Sequence, residues 1–163
     1  MAEVELTEEE IKRGIDLMGW SDDQAKSFMP NLTPYQKRFI KHIPEFFNYK
    51  IVQEVVWAKN CARNPKPGDK TVFAAVGMFL PKESTFPGCG FCTFAITQIL
   101  PFLYVVYDRI CSGLDPSPMG INYIKCPDIE PAEGGTGSVL FKVYCIKSPV
   151  IVEKDVYREK FEA

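Results

Sequence analysis

The sequence contains a single histidine, His42, and no long run of either charge. Nineteen basic side chains stand against twenty-one acidic ones, a net charge of −2. A nucleic-acid binder normally carries a basic patch, so that class of partner is not expected. Also missing are a Ser-His-Asp arrangement, a paired-carboxylate motif, a Walker loop and a dinucleotide fingerprint. The opening residues, Met1-Ala2-Glu3-Val4-Glu5, lack the basic and apolar regions of a signal peptide. The longest apolar stretch, Phe91 to Tyr107, is interrupted by Thr93, Thr97, Gln98 and Pro101 and falls short of the roughly 20 residues of a membrane span. No internal repeat and no low-complexity segment is present. These absences lead us to expect a cytoplasmic protein with no membrane partner, whose cysteines are thiols or ligands and not bridges.

What the 163 residues do contain suits one globular domain with a small appendage. Three pairs in the first 45 residues fit capping boxes: Thr7 with Glu10, Ser21 with Gln24, and Thr33 with Gln36. Each predicts a short helix. The first carries Ile11, Ile15 and Met18 and stops near Gly19; the second ends at Pro30; the third carries Tyr35, Phe39, Ile40 and Ile43 and ends before Pro44. Helices this short do not persist alone in water, so they must dock on the rest of the chain or on another subunit.

From Tyr49 the texture becomes β-branched and aromatic. Tyr49 to Ala58 and Thr71 to Leu80 read as strands about a Lys66-Pro67-Gly68-Asp69 turn. Cys92 to Ile110 is apolar around most of its circumference and predicts one buried helix kinked at Pro101. Asn122 to Cys126 and Val139 to Lys147 supply two more strands, and the tail from Val150 starts strand-like and ends charged. The expected fold is α+β: N-terminal short helices (residues 1–45), then a β-β-α-β-β antiparallel sheet with one buried helix (residues 46–163).

The six cysteines are the main chemical signal. Cys89 and Cys92 form a Cys-x-x-Cys before the apolar helix, where unpaired amides and the helix dipole favour a thiolate. One reading is a metal site, with Cys61 and Cys126 brought from strand ends, and Asp128 near enough in sequence to add an oxygen. A second is thiol redox chemistry, Cys89 attacking and Cys92 resolving. The third is that cysteines are small buried hydrophobes, which suits Cys111 and Cys145 best.

Several other features have bland explanations. His42 is most simply a solvated or locally satisfied imidazole. The Glu133-Gly134-Gly135-Thr136-Gly137 run leads into a strand and not a helix, so it reads as a loop and not a phosphate cradle. Phe39, Phe46, Phe47, Tyr49 and Trp57 read as packing between helices and sheet, with a ligand pocket or subunit interface as the alternative.

In order, the chain presents Cys61, then Gly68-Asp69, then Cys92-Thr93-Phe94-Ala95 with Pro101, then Cys126-Pro127-Asp128, and finally Val139-Leu140-Phe141-Lys142-Val143. With these motifs Lys50 to Lys147 resembles a family of small uncharacterised bacterial and archaeal proteins often met in anaerobes. That family brings no activity with it. The resemblance selects Cys61, Cys92 and Cys126 as the expected site and demotes Cys89, Cys111 and Cys145. Residues 1–45, the loop after Ser112 and the Glu130-to-Gly137 insertion depart from the pattern.

The leading expectation is an accessory subunit or module with a three-cysteine site for zinc or iron. Its N-terminal helices would dock a protein partner or a second copy. The alternatives are a thiol-dependent enzyme of anaerobic metabolism using Cys92, and a module binding a small aromatic or acyl ligand.

Overall fold

The computed structural model describes residues 4–88 and 90–150. Cys89 and the tail beyond Val150 therefore lie outside the described residues. Three N-terminal helices form where the capping pairs stand: α1 (Glu8–Met18), α2 (Asp22–Phe28) and α3 (Pro34–Phe46). In each box the hydroxyl of Thr7, Ser21 or Thr33 accepts the amide three residues on, while Glu10, Gln24 or Gln36 accepts the capping residue's own amide. Gly19 ends α1 in the left-handed region at φ 65°.

α3 does not end before Pro44. The missing N–H of Pro44 removes one bond in the final turn, and the helix continues to Phe46, which is fully buried. α1 crosses α3 so closely that a Cβ at Gly14 would stand 2.9 Å from Ile40 Cγ2.

Among the described residues, four strands form one antiparallel sheet in the order β2-β1-β4-β3: β1 (Tyr49–Lys59), β2 (Lys70–Ala74), β3 (Tyr123–Lys125) and β4 (Ser138–Lys147). The last strand thus sits beside the first, in the middle of the sheet. Thr71 to Leu80 is not one strand. Gly77, at φ 89°, turns the chain, and Phe79 bridges back to Phe73.

The register of β1 on β4 slips between Val55 and Trp57. Val56 is the extra residue, so Val56 and Trp57 both face outward and Ala58 returns to the core side.

The apolar stretch expected to be one buried helix is two, α4 (Thr93–Ile96) and α5 (Leu100–Cys111). Pro101 falls in the first turn of α5, where its absent N–H costs nothing, so the break lies before it. Ile99, Val106 and Ile110 are buried, whereas Leu100, Tyr104 and Val105 are exposed. Thr93–Cys111 is the one described segment apolar and long enough to cross a membrane (mean hydropathy 1.3), and a third of it is buried in this fold.

Two apolar clusters fill the space above the sheet. The larger one joins Phe46, Ile51, Phe73, Val106, Ile110 and Val143 near the Tyr49 end of β1. There α3 docks on α5, with Phe39 and Phe46 lying 6.1 and 4.7 Å from the Tyr107 ring, centroid to centroid. The N-terminal helices therefore cover part of this chain's own core. The smaller cluster, Val55, Phe86, Ala95, Val139 and Phe141, lies towards the Lys59 end.

Candidate functional site

Strand direction explains how two of the three selected cysteines meet. β1 and β3 both run antiparallel to β4, one on each side of it, so both end beside its first residues. Cys126 follows β3 directly and extends the ladder by one step, its N–H donating to the Val139 carbonyl at 2.8 Å. Ala58 pairs with Val139 from the other side. Ala58, Val139 and Cys126 thus make a row across three strands on the core face.

Cys61 lies two residues beyond the end of β1. Its carbonyl accepts the Asn64 amide at 2.8 Å, forming a turn. Gly137, just before β4, packs against this turn: a Cβ there would stand 2.5 Å from the Cys61 amide nitrogen and 2.6 Å from the Asn60 carbonyl oxygen. Only a glycine lets the loop come this close.

Cys92 caps α4 and is held from beneath by two buried polar side chains. Thr71 Oγ1 donates to the Gly90 carbonyl at 2.8 Å, and Gln53 Nε2 donates to the Ala95 carbonyl at 2.9 Å. Thr71 and Gln53 are direct partners in the β1–β2 ladder, so one polar row tethers both ends of the segment that carries Cys92. Among the described residues, Gln53 Oε1 has no hydrogen-bond partner. This row escaped the sequence reading. Its signal was Gln53 at the two-residue spacing between Ile51 and Val55, a polar residue on an apolar face.

Cys61, Cys92 and Cys126 all pack, half-buried, against the smaller cluster. Burial pushes the Cys126 thiol up, the Asp128 amide hydrogen bond pulls it down, and the nearby Cys92, Asp128 and Cys61 push it up again. The three cysteines share one neighbourhood, but they do not form a cage. Among the described residues, no three His, Cys, Asp or Glu side chains are disposed to hold a metal ion. α4 has only four residues, so the dipole expected to favour a thiolate at Cys92 is small.

Cys111 and Cys145 are core residues, 2% and 4% exposed. Burial raises both thiols, Cys145 to about 12. Asp128 accepts both the amide and the hydroxyl of Thr136, which lowers its carboxyl and folds the glycine-rich loop onto an acid. An anion would meet that carboxylate, so the loop is no phosphate cradle.

His42 lines a cavity of about 450 Å³ with Glu45, Tyr49, Asp115 and Lys147. That cavity is at the Tyr49 end of β1, whereas the cysteines gather beyond Lys59. Ten strand residues span about 33 Å, so the one imidazole is out of reach of the thiols. No family model, no curated protein and no solved structure matches this chain.

Proposed function

We propose that this chain is a small accessory module, cytoplasmic in its thiol chemistry, whose functional centre is the Cys61, Cys92 and Cys126 site and whose ligand is a thiophilic metal ion, zinc or iron. The observation that carries this reading is the packing of three cysteines, remote in sequence, against one five-residue cluster. In donor chemistry the set fits such an ion. In disposition it does not yet form a cage, and binding must draw the sulfurs together.

Metal analysis of the anaerobically purified, reduced protein tests the proposal. About one equivalent of zinc or iron is expected, as is its loss on Cys61→Ser, Cys92→Ser or Cys126→Ser. Less than about one-tenth equivalent, with no cobalt–thiolate absorption on adding Co²⁺, would sink it.

A Cys92-dependent enzyme is less well supported. His42, the only imidazole, stands at the far end of the sheet, and nucleophilic thiols are normally activated by a neighbouring base. That reading requires Cys92 to react with iodoacetamide well below about pH 8.5.

One observation favours a second role for the N-terminal helices. With α3 committed to α5, they leave an apolar groove of about 300 Å³ lined by Met18, Trp20, Phe28, Leu32, Phe39 and Ile40. The groove suits a small aromatic or acyl ligand, or an apolar side chain of a protein partner. Quenching of Trp20 fluorescence by a saturable aromatic probe, lost in Phe28→Ser, is the expected sign; a linear, unsaturable response argues against it.

A further inference from the structure

The outer face of α5 is apolar where a surface helix should be polar. Leu100, Pro101, Tyr104, Val105 and Asp108 form its exposed stripe, spaced as one helix face, and only Asp108 carries charge. Val105 also lines a groove of about 320 Å³ with Pro101, Phe102, Met119 and Ile121. Leu100, Tyr104, Val105 and Ile121 are 47%, 71%, 49% and 81% exposed. With about 200 Å² for the Tyr104 side chain and less for each aliphatic one, the four leave a few hundred Å² of apolar surface open, the size of a monomer's largest patch.

We propose that this face is a homodimer interface, in which α5 of one copy packs on α5 of a second copy. Three observations favour a second copy over other occupants. Two such patches, with Pro101, Pro118 and Met119 beside them, approach the roughly 1,000 Å² at which a specific interface becomes credible. The patch offers both a knob and a hollow: Tyr104 is more exposed than Leu100 or Val105, and the groove lined by Pro101, Val105 and Arg109 lies beside it. A two-fold axis then seats each Tyr104 in the other copy's groove, an isologous arrangement.

The third observation is charge. A helix that lies on a membrane carries Lys or Arg along its polar flank. α5 has one basic residue, Arg109, whose Nε donates to the Asp115 carbonyl, while Asp108 sits on the stripe itself. The surface is independent of the thiol site, so either assignment can fail without the other.

Sedimentation equilibrium of the full chain at about 1 to 100 μM tests the proposal, in the micromolar range expected of a modest interface. A dimer is expected, and Tyr104→Lys and Ile121→Glu should each weaken it at least tenfold. Both side chains are exposed, so the far-ultraviolet circular dichroism should not change. Trp57→Lys, on the opposite face of the sheet, should leave the dimer intact. A wild-type monomer throughout overturns the proposal. So does a dimer that both stripe variants leave whole, or one that Trp57→Lys dissociates equally. Co-sedimentation of a monomeric wild-type chain with phosphatidylcholine–phosphatidylglycerol vesicles, lost in Tyr104→Lys, assigns the stripe to lipid and overturns it as well.

Discussion

Replacing Gln53 with methionine should separate the placement of Cys92 from the stability of the fold. Gln53 Nε2 makes one buried bond to the Ala95 carbonyl, worth about 1 kcal/mol net. That carbonyl also accepts the Thr97 and Gln98 amides, so it keeps partners when Gln53 is lost. The same substitution removes Gln53 Oε1, a buried acceptor without a partner among the described residues, whose burial costs about 1 to 3 kcal/mol. Methionine fills a similar volume. Gln53→Met should therefore leave global stability unchanged or raise it by up to about 2 kcal/mol in a urea titration.

The tether on the Cys92 segment is lost all the same. A loss of about 1 kcal/mol raises the population of its open form about fivefold. Iodoacetamide labelling of Cys92, followed by peptide mass spectrometry under native conditions, should accelerate by that factor. A loss of more than about 2 kcal/mol in stability, or unchanged labelling, refutes the positioning role.

The remaining predictions concern the surroundings of the site and the two core thiols. Gly137→Ala puts a Cβ against the backbone of Asn60 and Cys61 and should cost about 1 to 3 kcal/mol in denaturant unfolding. The Cys145 thiol is held up from an ordinary 9.0 to about 12 by burial, so its contribution is present below the unfolded value and lost as pH rises through the folded one. Stability should decline between about pH 9 and 12, by as much as about 4 kcal/mol for this group, and Cys145→Val should flatten that decline. Asp128 shows the opposite sign: hydrogen bonds from Thr136 lower its carboxyl, so stabilisation is present above the unfolded value near 4 and lost as pH falls through the folded one. Thr136→Val should be less stable than wild type at pH 7, with the difference vanishing in acid.

Local rules were sufficient for the N-terminal helices. A capping box is written within four residues, and all three boxes formed. The strand β4 also followed from short-range alternation, Val139, Phe141, Val143 and Cys145 falling on one face. Packing overrode the rules where α3 ran through Pro44 to bury Phe46, whereas the break in the run from Thr71 to Leu80 was itself local, a left-handed turn at Gly77. The apolar segment from Cys92 looked buried because hydrophobicity on every side suggests enclosure. Instead it broke before Pro101 and kept one apolar face in the open.

Residue chemistry marked the cysteines as a class and placed Cys111 and Cys145 among core residues, whereas the choice of Cys61, Cys92 and Cys126 came from the resemblance in motif order. Their neighbourhood, however, depends on strand order. Only the insertion of β4 between β1 and β3 brings the ends of those strands to one edge, and only the pairing of Gln53 with Thr71 fixes the Cys92 segment above them. Both are contacts between residues far apart in sequence. Propensity and spacing act over a few residues, whereas sheet order is chosen by how the whole apolar surface can be buried at once.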